Sequence, residues 1–105
     1  MSARTSAKTA QSVALRLYVT GHTPRSIRAI SNIRRICEER FPGSYKLEVI
    51  DIYQQPKLAQ DDQIVAVPTL IKQLPEPARK LIGDLSDEKR VLLGLDLNPE
   101  GALNL

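Results

Sequence analysis

A chain of 105 residues with 42% apolar and 26% charged side chains has the make-up of one globular domain with room for one core. Its formal net charge is only +3, no like-charge block exceeds two residues, and the aromatics are Tyr18, Tyr45, Tyr53 and Phe41, which argues against a nucleic-acid binder. No apolar run approaches the roughly 20 residues that cross a bilayer. A single cysteine, Cys37, and a single histidine, His22, exclude an intrachain disulfide and a Cys- or His-rich metal site, and the expected setting is cytoplasmic.

Residues 1–11 are polar and lack the apolar core of a secretory signal, so they are expected to form a flexible tail. Val13-Ala14-Leu15-Arg16-Leu17-Tyr18-Val19 reads as a largely buried strand with one charged interruption. After Thr20-Gly21-His22, Thr23 suits an N-cap and Pro24 the first helical position, where its missing N–H costs nothing. The helix should run to about Arg40, with Ile27, Ile30, Ile33, Cys37 and Phe41 as its core stripe. Pro42-Gly43 ends it. A second strand lies within 44–53, its Tyr45, Leu47 and Val49 alternating with Lys46, Glu48 and Ile50. Such a β-α-β unit closes right-handed with parallel strands. Pro56-Lys57-Leu58-Ala59 opens a short helix or turn. Residues 64–71 are apolar enough for a third strand, with Pro68 at an edge or strand end because it cannot donate a ladder bond. The predicted core comprises Leu15, Leu17, Val19, Ile27, Ile30, Ile33, Val49 and Val65.

Beyond Gly83 the chain has two readings. Ser86 can cap a helix whose first turn carries Asp87 and Glu88, favourable at the positive end of the dipole, with Lys89 to Leu97 continuing it. Val91 to Leu97 also reads as a buried strand, and Gly94 costs roughly 1 kcal/mol in a helix interior. A segment with two readings is a candidate switch. One domain is expected over residues 12–98, with a short tail at 99–105.

No reactive constellation is evident. The start of the first helix is where a thioredoxin-type enzyme would place Cys-x-x-Cys and where the helix lowers a thiol pKa. Here it reads Gly21-His22-Thr23-Pro24. Cys37 falls three turns further on, on the apolar stripe, as a small core residue. His22 has no nucleophile motif around it, adjacent Asp61 and Asp62 point in different directions, and no glycine-rich phosphate loop is present. The expectation is a protein that is not an enzyme and needs no cofactor. Arg25, Arg28, Asn32, Arg35 and Glu39 share the helix face opposite the isoleucines, and Arg79-Lys80 forms a second basic spot.

The chain resembles the KaiB family along residues 15–97. The pieces that carry the resemblance are Leu17-Tyr18-Val19-x-Gly21-x-Thr23-Pro24-x-Ser26-x-Arg28-Ala29, Val49-Ile50-Asp51, Pro56-x-Leu58-Ala59, Pro68-Thr69-Leu70, Leu74-Pro75-x-Pro77, Ile82-Gly83-Asp84-Leu85-Ser86 and Gly94-Leu95-Asp96-Leu97. The sensor domain of SasA-type histidine kinases shares the thioredoxin-like half. The resemblance implies an α/β protein related to thioredoxin, with a β-α-β N-terminal half and a metamorphic C-terminal half. It also implies a non-enzymatic partner of a KaiC-type ATPase ring, acting on its phosphorylation state and timing. A thioredoxin-like form binds the ring, and a rearranged, self-associating dimer or tetramer is the ground state expected when the chain is isolated, with Val91 to Leu97 as strand. The alternatives are a thioredoxin-like redox protein and a SasA-type sensor module with a histidine-kinase partner.

By resemblance, the partner-binding residues are Arg28, Lys57, Leu58, Arg79 and Lys80, and the fold-switch positions are Pro68, Gly94 and Asp96. Gly94→Ala and Asp96→Arg are expected to favour the helical tail. The second strand looks like a KaiA-facing strand, but Glu48 stands where clock-type members tend to have lysine, and Lys46 where they have a small residue. These departures, with a nearly uncharged C-terminus, argue against KaiA capture and for a system without KaiA.

Overall fold

The computed structural model describes residues 12–97. In chain order the elements are β1 (Val13–Val19), α1 (Pro24–Arg40), β2 (Tyr45–Asp51), α2 (Pro56–Asp61), β3 (Thr69–Leu74), β4 (Arg79–Ile82) and α3 (Glu88–Gly94). They build one four-stranded sheet in the order β2-β1-β3-β4. β1 and β2 are parallel, with Leu15 opposite Leu47 and Leu17 opposite Val49, as a helical crossover requires. β3 runs antiparallel to β1, and β4 antiparallel to β3. The fold is the thioredoxin-like α/β arrangement. The tails expected at 1–11 and 99–105 lie outside the described residues.

Alternation along the strands gives the sheet two apolar faces. One face joins Val13, Leu15, Leu17, Val19 and Leu70 in a single cluster with Ala29, Ile33, Ile36 and Cys37 of α1 and with Val91, Leu92, Leu95 and Leu97 around α3. The other joins Tyr18, Ile50 and Ile71, with Leu58, Ala59, Ile64 and Val67 packed against them. The α1–α3 cluster is the larger core, and the α2 side is a satellite.

The stripe of α1 is rotated from the one the isoleucines suggested. Its buried residues are Ser26, Ala29, Ile33, Ile36 and Cys37, and Ile27 is 52% exposed. The N-terminal cap explains this. Thr23 Oγ1 accepts from Ser26 N at 3.2 Å and donates to Ser26 Oγ at 2.9 Å, while Ser26 Oγ accepts from Thr20 N at 3.1 Å. The cap turns Ser26 inward, and Ile27 then sits about 100° round the helix. Ile30 and Val49 are half-buried against the cluster.

The third strand also starts later than the apolar run suggested. Ile64 N donates to Ala59 O at 2.9 Å, so this residue closes the end of α2 rather than opening a strand. Val65 is 91% exposed, which removes it from the predicted core. Pro68 is buried, follows a cis bond from Val67, and has no N–H for the ladder, so β3 begins at Thr69.

The tail is helical. The strand over Val91 to Leu97, expected of the self-associated ground state, is not the conformation of this single chain. Asp87 rather than Ser86 caps α3, its side chain accepting from Arg90 N at 3.2 Å. At the other end Asp96 N donates to Leu93 O at 3.1 Å and Leu97 N to Leu92 O at 2.7 Å. These two bonds form a Schellman motif, with Leu92 and Leu97 as its buried apolar pair. Asp96 occupies the left-handed position at φ +60°, where glycine is the residue of least cost. Gly94 has a packing role, since a Cβ there would lie 3.1 Å from Leu81 Cδ1. The helix thereby approaches β4 closely.

One charge lies inside this assembly. Lys72 is 1% exposed and pairs in the sheet with Leu15 and Arg79. Burial pushes its ammonium below the ordinary lysine range, and the Asp96 carboxylate acts in the opposite sense. Asp96 thus combines a backbone cost with a charge that suits Lys72. The backbone term is the larger, because Asp96 is exposed and its field is screened by solvent. Asp96→Gly should stabilise the helical-tail form by roughly 1 kcal/mol, read as a higher urea midpoint with unchanged slope. An unchanged or lower midpoint would show that the carboxylate matters more than the backbone.

Candidate partner-binding site

The start of α1, where a redox enzyme of this fold would carry its thiols, presents Gly21, His22, Thr23 and Pro24, and His22 is exposed. Cys37 is buried, and burial pushes its thiol up to about 12, with Glu38 adding to the shift. It lies thirteen residues beyond Pro24, about 20 Å along the helix. A thiol that remains protonated and shielded is a poor nucleophile. Among the described residues no group of three or more His, Cys, Asp or Glu is placed to hold a metal ion, and the adjacent carboxylates have different partners, Asp61 facing Lys57 and Asp62 facing Arg16.

The partner-binding candidates divide between the two faces of the sheet. On the α2 face are Lys57 and Leu58 of α2, Lys80 of β4, and Lys46 and Glu48 of β2. Lys57 is exposed, with its ammonium 3.9 Å from Asp61 Oδ1. Leu58 is half-buried against Tyr18, Ile50 and Ile71, so its side chain serves the sheet more than a partner. Lys80 Nζ donates to Asp62 O at 2.7 Å. Lys46 is exposed on the edge strand. Glu48 Oε1 lies 3.1 Å from both Nε and Nη2 of Arg16.

Behind these candidates is a group the sequence reading passed over. Arg16 Nη1 donates to Asp62 Oδ2 at 3.1 Å, and Tyr18 Oη donates to the same oxygen at 2.5 Å. Tyr18 itself is fully buried, and burial with the Asp62 contact pushes its hydroxyl up to about 12. It remains a proton donor at neutral pH. The Tyr18 and Arg16 hydrogen bonds hold the Asp62 carboxyl below the usual carboxylate range. The available signal was Arg16, the one charge inside an otherwise apolar strand.

Arg28 and Arg79 belong to the opposite face. Arg28 Nε is 3.5 Å from Asp84 Oδ2, and Asn32 Nδ2 donates to Asp84 O at 2.8 Å. Arg35 and Arg40 reach Glu88 at 3.2 and 2.6 Å. The polar face of α1 is therefore fastened to the loop and first turn that lead into α3, and Arg28, Asn32 and Arg35 are part of that fastening. Arg79 is exposed on β4. The switch positions are likewise dispersed, with Pro68 buried before β3 and Gly94 and Asp96 at the end of α3.

The α1–α3 fastening has a pH signature. Arg40 first, and Arg35 after it, hold the Glu88 carboxyl below its usual range. A carboxylate whose folded pKa is depressed contributes stability above its unfolded pKa of about 4.3, and loses it as pH falls through the lower folded value. Glu88→Gln should flatten the acid limb of a stability–pH profile below about pH 4.5, monitored by denaturant unfolding. The same slope in variant and parent would mean that these contacts carry no stability.

With this geometry in view, comparison with known proteins gives a consistent answer. The KaiB domain model matches residues 16–97. The chain is 57% identical over 83 residues to the circadian clock oscillator protein KaiB of Microcystis aeruginosa, covering 79% of this chain and 80% of that protein. It is 52% identical over 89 residues to the circadian clock protein KaiB3 of Synechocystis sp., covering 85% and 87%. Among solved structures, the N-terminal domain of Synechococcus elongatus SasA superposes with a TM-score of 0.67 at 26% identity, over 85% of this chain and 88% of that domain. The thioredoxin Deadhead of Drosophila melanogaster gives the same TM-score at 11% identity, over 91% and 90%, a likeness of fold alone. Matched from β1 to the end of α3, the chain belongs to the KaiB family of circadian clock proteins.

Proposed function

We propose that this KaiB-family protein acts without catalysis, by docking on a KaiC-type ATPase ring in its thioredoxin-like form and so altering the ring's phosphorylation timing. The observation that carries the reading is the conformation of the tail. Residues 88–94 are helical, which is the arrangement that the family resemblance ties to ring binding. That arrangement presents α2 beside β4, with Lys57 and Lys80 on one face. The buried, strongly protonated Cys37 supports docking over thiol exchange.

The β2 edge supports a system without KaiA. Glu48 places a carboxylate on the exposed face of that strand, already paired with Arg16, and Lys46 adds a long charged side chain two residues away. A self-associated dimer or tetramer, with the tail rearranged, completes the proposed cycle as the storage form. A ligand that binds one form only has its apparent affinity reduced by that form's population, so the balance between forms would set the docking rate.

Lys57→Glu tests the docking face. It is exposed and its neighbour Asp61 is 3.9 Å away, so stability should shift by less than about 0.5 kcal/mol. Ring binding should weaken about tenfold, the scale of one contact worth roughly 1.4 kcal/mol, measured by titration onto a KaiC hexamer. Cys37→Ser should leave binding intact. Failure of the unmodified protein to bind the ring, or cysteine-dependent disulfide reduction, would contradict the proposal.

A further inference from the structure

We infer that Asp62 is the positioning residue of the α2 face: clamped by Arg16 and Tyr18, it fixes the orientation of α2 and thereby sets the affinity of the Lys57 surface for its partner. The inference rests on the reading of α2 as a docking element.

α2 cannot hold its own place. It has six residues, well below the roughly 12–15 that make an isolated helix even marginal. Its N-cap, Gln55, makes no side-chain capping bond, and none of its residues is fully buried. The first backbone bond, Ala59 N to Gln55 O, is long at 3.4 Å. Two half-buried residues, Leu58 and Ala59, supply its apolar contact with the sheet. Its orientation must come from contacts at its ends.

Those contacts converge on Asp62, the C-cap residue. Its Oδ2 accepts from Arg16 Nη1 and Tyr18 Oη, both from β1. Its carbonyl, one of the acceptors a helix end leaves unpaired, accepts from Lys80 Nζ of β4. Tyr18 Oη also lies 3.1 Å from Leu58 O, one turn back. A carboxylate at the negative end of a helix is unfavourable on the helix's own account. This one is matched by two cations from the sheet, so its placement serves docking of the helix rather than its formation. Arg16 meanwhile bridges to Glu48 of β2. One guanidinium, 19% exposed in its side chain, therefore spans from the β2 edge to the end of α2.

The clamp is tested with Asp62→Asn, which keeps the shape and removes the charge, Asp62→Glu as the conservative variant, and Lys57→Ala. Hydrogen exchange of the Ala59 and Asp62 amides reports α2 directly, and titration onto a KaiC hexamer reports affinity. The expected result for Asp62→Asn is at least tenfold faster exchange at these amides, unchanged exchange in α1, and about tenfold weaker ring binding. Asp62→Glu should restore part of both. If the clamp acts through α2, the binding effects of Asp62→Asn and Lys57→Ala should be non-additive. A purely structural role would make them additive and would loosen α1 as well. Unchanged α2 exchange in Asp62→Asn, or additivity, overturns the proposal. If the unmodified protein does not bind the ring, the docking reading fails together with the affinity claim, while the exchange result still decides whether Asp62 positions α2.

Discussion

The architecture depends on one packing arrangement, the burial of Val91, Leu92, Leu95 and Leu97 in the same cluster as Leu15, Leu17, Ile33 and Ile36. Without a helix over that part of the sheet, one face of β3 and β4 would be open to water. Side chains of this size contribute about 1.5–3 kcal/mol each when fully buried, which exceeds the cost of a left-handed aspartate or of a short helix. The Schellman turn at Asp96 brings Leu97 back onto Leu92, and Gly94 allows the helix to approach Leu81. The α1 arginines fasten the approach to this helix through Asp84 and Glu88. Formation of the thioredoxin-like form and formation of α3 are, on this account, the same event.

The two faces of the sheet are built differently. The α1–α3 face is extensive and apolar, with its ion pairs at the rim. The α2 face has a smaller apolar patch and a polar group in which buried Tyr18 meets half-buried Arg16 and Asp62. Polar networks of this kind specify geometry more than they add stability. Such specification matters on a helix of six residues, which packing alone would leave loose.

Much of this was legible in the sequence. Thr23-Pro24 marked the start of α1, and the β-α-β order dictated the parallel β1–β2 pair. The thiol-free start of α1 and the apolar setting of Cys37 pointed away from redox chemistry. The rotation of α1 was not legible, because the isoleucines at 27, 30 and 33 mark a plausible stripe, and only the Ser26 hydroxyl bonds decide between the two rows. Residues 64–67 were apolar enough for a strand, but Ile64 closes the end of α2 and β3 begins only after Pro68, a tertiary outcome. Ser86 and Asp87 are both good caps, and propensity could not choose between them. The candidate basic residues were visible individually, but not their division between opposite faces, which depends on where α1 and α2 pack and, for Arg79 and Lys80, on the pairing of β4 with β3. The partners of Arg16 lie 32 and 46 residues away, a separation at which local pattern carries no information.

The central claim is that docking requires the helical tail, and the most direct measurement is the backbone chemical shifts of residues 88–97 in the ring-bound protein. The account predicts helical shifts through Gly94, with a left-handed signature at Asp96, in the bound state. Extended, strand-like shifts over Val91 to Leu97 in the complex would contradict it.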